Sequence, residues 1–172
     1  MDKRKLGFAV ALVVFFADQL AKWVVTGPLG LNRLGDQLVL GPIFNFTYTQ
    51  NEGISLGLLN ATNPVGRWML VAVTVAIAVG VAVWIGREKH RVDQAALGMV
   101  LGGALGNILD RTRFGYVIDF ADLHFGDFRP FLVFNVGDAA ISIAVVVLLL
   151  RAFLTPKERA KGAGPEETIE HA

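Results

Sequence analysis

Four apolar stretches, each long enough to cross a bilayer, constrain this chain more than any other feature. They cover residues 6–25, 68–85, 92–111 and 131–154. About 20 mostly apolar residues cross the hydrocarbon core as a helix. Helices satisfy their own backbone hydrogen bonds, so the spacing predicts a mainly α integral membrane protein with four spans. Only 18% of the residues are Asp, Glu, Lys or Arg, and 53% are hydrophobic, against about 25% charged in soluble domains. The formal net charge of +1 leaves no broad basic field, so nucleic acid is not expected as a partner. Cysteine is absent, which removes disulfides, thiolate metal ligands and a thiol nucleophile.

The first stretch follows Met1-Asp2-Lys3-Arg4-Lys5 and so matches the start of a secretory signal peptide. Ala17-Asp18-Gln19 is a poor cleavage site, however, and apolar character resumes at Trp23. The segment is therefore read as a retained span.

Basic residues orient the spans. Lys3, Arg4, Lys5, Arg87, Lys89, Arg91, Arg151, Lys157, Arg159 and Lys161 fall on one side, ten in all, against five (Arg33, Arg67, Arg111, Arg113 and Arg129) on the other. Both termini are thus expected in the cytoplasm, with 26–67 and 112–130 outside. Residues 1–154 then form one membrane-embedded domain and 155–172 a polar, mobile cytoplasmic tail. Within the outer part, Phe44, Phe46 and Tyr48 alternate with Asn45, Thr47 and Thr49. That period of two predicts a half-buried strand. A small β-like sheet over 36–58 and 116–125 follows, with Tyr116 to Phe120 as its second run.

Ionisable groups inside spans are costly and mark function by default. Asp18 and Lys22 lie in the outward half of span one, Asn107, Asp110 and Arg111 at the outward end of span three, and Asn135 and Asp138 in the outward half of span four. Counted from Phe131, Asp138 is expected about 10 Å deep. No comparable cluster stands in the inward half. Asp18 and Lys22 are one turn apart and can pair, although Lys22 could also snorkel outward. Arg111 suits the negative end of its helix dipole. Gly98, Gly102 and Gly106 form a small-residue stripe, read as helix packing.

Chemistry narrows by residue type. The histidines, His90, His124 and His171, are scattered, and no His-Glu-x-x-His pattern exists, so no metal or other cofactor is expected. Ser55 with Lys22 as base is one candidate dyad, and Ser142 lies within span four. Asp119 and Asp138 have no basic neighbour one turn away. Two close carboxylates cannot both ionise, so one can act as base on a water while the other donates to a carbonyl. Carboxylates in a membrane also suit a small proton- or cation-coupled transporter. That reading predicts polar groups through the full membrane depth. A non-enzymatic assembly protein is a third reading.

Five runs carry a resemblance: Asp18-Gln19-Leu20-Ala21-Lys22, Asn51-Glu52-Gly53-Ile54-Ser55, Gly103 to Arg111, Val117-Ile118-Asp119-Phe120 and Phe134-Asn135-Val136-Gly137-Asp138. In this order the chain resembles the lipoprotein signal peptidases, the type II signal peptidases of bacteria, over residues 6–153. The resemblance implies a four-helix aspartic endopeptidase of the bacterial inner membrane, with its site toward the extracytoplasmic face. It would cut the signal peptide from prolipoproteins just before a diacylglyceryl-modified cysteine, without a metal. The implied partners are diacylglyceryl-modified prolipoproteins, membrane lipid and globomycin-type inhibitors. The catalytic pair falls on Asp119 and Asp138. Supporting or substrate-binding residues fall on Asp18, Lys22, Asn51, Gly53, Asn107, Asp110, Arg111 and Asn135. Two departures stand out: Gly137 where the family commonly has Ala, and Leu56 where an aromatic is common.

Overall fold

The computed structural model describes residues 3–53, 64–126 and 128–154. Four helices carry the chain: α1 (Lys3–Thr26), α2 (Pro64–Arg87), α3 (Arg91–Arg113) and α4 (Val136–Leu154). All four are long and apolar enough to cross a membrane. Three strands, β1 (Gln37–Val39), β2 (Phe44–Asn51) and β3 (Val117–Leu123), pair antiparallel in the order β1-β2-β3. The protein is thus a multi-pass membrane protein with a small sheet at one end of its bundle. α1 begins and α4 ends on the side away from that sheet.

The central helix is α3, which packs against α1, α4 and α2. Its glycine stripe explains how closely. A methyl group added at Gly98 would collide with the Gly7 carbonyl of α1, and one at Gly102 with that of Ala11. Gly106 faces the Asp18 side chain, and Gly103 backs onto the Gly137 carbonyl of α4. Without a hydrophobic force between helices in lipid, such backbone approach supplies the van der Waals contact that holds them together. Away from the sheet, Ala11, Ala78, Ile85, Leu97 and Leu101 form an apolar cluster.

Helix boundaries follow from capping. Pro64 opens α2, where its missing N–H costs nothing. At the end of α3, the Phe114 N–H donates to the Asp110 carbonyl and that of Gly115 to the Arg111 carbonyl. Gly115 has φ +94°, a left-handed conformation open to glycine. It turns the chain from α3 into β3.

Span four differs from the expected 131–154. The chain bends at Pro130 and Phe131, Phe134 pairs with Ala121 of β3, and the helix starts only at Val136. Asn135 and Asp138 form a reciprocal cap. The Asp138 N–H donates to Asn135 Oδ1 at 2.8 Å, and the Asn135 N–H to Asp138 Oδ2 at 3.3 Å. This satisfies two otherwise orphan donors and sets the first turn there. Asp138 therefore sits in the opening turn of α4, not about 10 Å down a longer helix.

The sheet also departs from a simple half-buried strand. Residues 36–53 form a hairpin and its approach, and 54–58 lie outside the described residues. The register shifts between Phe46 and Thr49. Polar Asn45 is buried, whereas Phe44 and Phe46 are only partly so. Asn45 lies opposite buried Asp122, and consecutive residues of β3 are buried, so that strand is covered on both faces while β1 stays exposed. Val25, Leu31, Tyr48, Ile118, Phe120 and Ala121 pack the sheet onto the end of α1.

Candidate active site

A buried ammonium organises the polar groups at the sheet end. Lys22 is 3% exposed and does not snorkel. Its Nζ lies 2.7 Å from Asp18 Oδ2 and 2.8 Å from Asp110 Oδ2, and donates to Asn107 Oδ1 at 3.4 Å. Gln19 Nε2 ties the same carboxylates together, at 3.2 Å from Asp18 and 3.1 Å from Asp110. In a low-dielectric interior one cation between two carboxylates is held by geometry on every side.

Both carboxylates then position backbone outside their own helices. Asp18 Oδ1 accepts the Gly137 N–H at 2.9 Å, which fixes the start of α4 against α1. Asp110 Oδ2 accepts the Ile118 N–H at 3.2 Å, which fixes the entry of β3 beside α3. The residues so placed flank Asp138 and Asp119 in the chain.

Asn135 links the two aspartates. Its Nδ2 donates to Asp119 Oδ1 at 2.7 Å and to Asn107 Oδ1 at 3.2 Å, while its backbone N–H reaches Asp138. Asn107 Nδ2 donates to Asp138 Oδ1 at 2.8 Å. On the other side, Asn51 Nδ2 donates to Asp119 Oδ2 at 3.0 Å. Asn51 is itself set by the Gly53 N–H, which donates to its Oδ1 at 2.9 Å. Gly53 has φ +103°, so this tight Asx turn suits glycine. Burial pushes the Asp119 carboxyl up to about 7, and the nearby Asp138 charge pushes the same way. Hydrogen bonds from Asn51 and Asn135 and the charge of Lys22 oppose the rise.

Arg111 feels the charges of Asp138, Asp119 and Asp110. Its buried Nε has no hydrogen-bond partner among the described residues. A donor beside two carboxylates and not committed to protein is free to take a ligand oxygen.

Two cavities open onto the aspartates. A polar one of about 430 Å³ is lined by Thr49, Gln50, Asn51, Glu52, Gly53, Asp119, Leu132 and Val133. An apolar one of about 280 Å³ is lined by Leu123, Phe131, Leu132, Phe134, Asp138, Ala139, Ser142 and Ile143. They share Leu132. One end is suited to an extended polar chain and the other to hydrocarbon. A groove of about 530 Å³ between α1 and α3 is apolar and reaches neither aspartate.

All ten residues singled out from the sequence therefore stand at one end of the bundle, in and around this network. Gln19, Thr49, Gln50 and Glu52 were not singled out. Gln19 and Glu52 stand inside two of the runs that carry the resemblance and Thr49 in the alternating strand, but their place at the site emerges only once the elements are packed together. Ser142 lines the apolar cavity. Ser55 and Leu56 lie outside the described residues. Lys22 is held by Asp18, Asp110 and Asn107. Among the described residues no group of three or more His, Asp or Glu side chains is arranged to hold a metal.

A family model described as signal peptidase (SPase) II matches residues 10–154. A lipoprotein signal peptidase of Rhizorhabdus wittichii is 53% identical over 151 residues, covering 88% of this chain and 87% of that protein. A protein of the same name from Caulobacter vibrioides is 36% identical over 155 residues, covering 90% of each. A bacterial membrane enzyme solved by the in meso method at 1.9 Å superposes with a TM-score of 0.72 and 25% identity, covering 87% of this chain and 92% of that one. Matched by that family model over most of its length and more than half identical to the first of these relatives, the chain belongs to the signal peptidase II family.

Proposed function

We propose that this chain removes the signal peptide from prolipoproteins, cutting just before a diacylglyceryl-modified cysteine, with Asp119 and Asp138 as the catalytic pair. The observation that carries the reading is Asn135, which hydrogen-bonds Asp119 through its side chain and Asp138 through its backbone. Asp119, with its carboxyl raised to about 7, is the protonated member. Asp138 is the member assigned to act on the water.

In the proposed reaction Asp138 takes a proton from a water as its oxygen attacks the scissile carbonyl. Asp119 donates its proton to that carbonyl oxygen. The tetrahedral intermediate then collapses. The C–N bond breaks and a proton from the Asp138 carboxyl goes to the leaving amine. Asp119 recovers its proton from the diol. The products are a signal peptide ending in a carboxylate and a lipidated cysteine with a free amine. The apolar cavity suits hydrocarbon next to the scissile bond, and the polar cavity along β2 suits extended peptide. Asp18, Lys22, Asn107, Asp110 and Asn135 act as positioning residues. Asn51 and Gly53 line the polar cavity, and Arg111 is proposed to face the substrate from the end of α3. Globomycin-type cyclic peptides are proposed to compete for it.

The test is cleavage of a purified lipidated prolipoprotein. Asp119→Asn and Asp138→Asn keep shape but remove a titratable proton. Each should lower turnover by about 10³-fold or more, and the double variant should add little. Binding of substrate or globomycin should survive, and EDTA should leave the wild type active. Cleavage near the wild-type rate by Asp138→Asn would falsify the mechanism.

The orientation follows the ten-to-five basic bias. Both termini are proposed to be cytoplasmic, the sheet and aspartates extracytoplasmic. A reporter active only outside the cytoplasm, fused after Ala172, should be silent. Strong activity there would invert the assignment.

A further inference from the structure

We propose that the connection between β3 and α4 is a lip seated in the bilayer, with Phe125, Phe128, Phe131 and Leu132 inserted into the leaflet on the sheet side. None of these residues belongs to a membrane-spanning helix. Yet Phe125 is 53%, Phe128 66%, Phe131 60% and Leu132 91% exposed. Four large apolar side chains so close in sequence, all uncovered, are not stable facing water and mark a membrane or partner surface.

The depth of the lip decides between the two. Phe131 and Leu132 share a cavity with Asp138, Ser142 and Ile143 of α4. Ser142 is six residues beyond Val136, roughly 9 Å along the helix axis. The connection therefore runs beside the first turns of α4, a helix long and apolar enough to span, before the chain turns into it. Phe125 and Phe128 stand six and three residues before Phe131 on the same connection. Their backbones exchange hydrogen bonds of 2.8 and 3.2 Å, which hold the two residues side by side. The patch extends to Ile43, whose carbonyl accepts the His124 N–H and whose side chain is 47% exposed. Arg129 is 54% exposed and lies 3.4 Å from Asp122. A long basic side chain among interfacial aromatics can reach the phosphate layer.

A leaflet is the occupant because the surface is continuous with α4, which already faces lipid. The consequence for catalysis rests on the function proposed above: a lipid-anchored chain would meet the cleft at Leu132 without leaving the bilayer. The insertion itself does not rest on it.

The chain has no cysteine, so single nitroxide labels can be placed without background. Phe125→Cys and Phe128→Cys would be labelled and reconstituted in vesicles of phosphatidylethanolamine and phosphatidylglycerol. Leu149→Cys on the lipid-facing side of α4 and Lys89→Cys in the turn between α2 and α3 give the lipid and water references. The readout is the ratio of collisions with oxygen to collisions with a water-soluble nickel chelate. We expect ratios at 125 and 128 several-fold above that at 89 and below that at 149, which lies deeper along α4. Each position reads independently, and cooperative melting in detergent identifies the folded variants. Ratios at both sites equal to the Lys89 reference would overturn the proposal and leave a water-facing patch for a protein partner. Because no cleavage is measured, failure here and failure of the peptidase mechanism are separate results.

Discussion

The two ends of the helix bundle are packed by opposite chemistry. Away from the sheet, Ala11, Ala78, Ile85, Leu97 and Leu101 fit together as an apolar cluster, with Arg151 and Asp93 paired near its rim. At the sheet end, Asp18, Lys22, Asn107, Asp110, Asp119 and Asn135 are buried together. Apolar packing tolerates small shifts, since each contact is weak and non-directional. The polar network does not, because the donors of Lys22, Asn107 and Asn135 are each aimed at a named acceptor and losing one leaves a polar group or charge unpaired in low dielectric. A buried ion cluster is weak evidence for stability. Its value here is geometric: it fixes three chain segments relative to one another where two aspartates must meet.

The sharpest way to break this contrast is Lys22→Met. It leaves Asp18 and Asp110 facing each other without their cation, and should cost about 3–5 kcal/mol. Thermal melting in detergent would read this. Adding Asp18→Asn and Asp110→Asn should recover most of the loss without restoring cleavage. A single variant as stable as wild type would mean the network carries no strain of charge.

The pH dependence comes next. Asp119 is raised to about 7 from an ordinary 3.8. The folded chain therefore binds more protons than the unfolded chain between these values. Stability due to this group is fully present below about 3.8 and is lost as pH rises to about 7. The difference between wild type and Asp119→Asn should show that slope. For activity, kcat/KM reports the free enzyme. It should fall about tenfold per pH unit above about 7 as Asp119 loses the proton it donates. A profile flat to pH 9 would remove Asp119 as the acid.

Ile85→Ala tests the apolar end and should have the smallest effect. In lipid the transfer contribution is absent, so the cost is mainly the cavity. Roughly 80 Å³ at about 24 cal/mol per Å³ gives about 2 kcal/mol. Melting should fall modestly while kcat stays unchanged. A large loss of kcat would show that the two ends are coupled.

The sequence by itself determined the four spans, the end of the bundle where polar residues gather, and the residue types able to do acid–base chemistry. These are composition and period, and the bilayer reads both directly. It also placed Gly98, Gly102 and Gly106 in a packing stripe, since small residues at helical spacing allow few other uses. Only the tertiary structure decided the rest. Span four begins at Val136 because Asn135 and Asp138 cap each other, a choice that hydropathy cannot see across an unbroken apolar run. Asn45 is buried with its Nδ2 2.9 Å from His124 Nε2, a contact between residues more than seventy positions apart in the chain. Asp119 and Asp138 are joined because one asparagine reaches both, with the strand and the helix each anchored to a different carboxylate beside Lys22. Such directional bonds depend on distances between segments, and distances between segments are set by packing, not by local spacing.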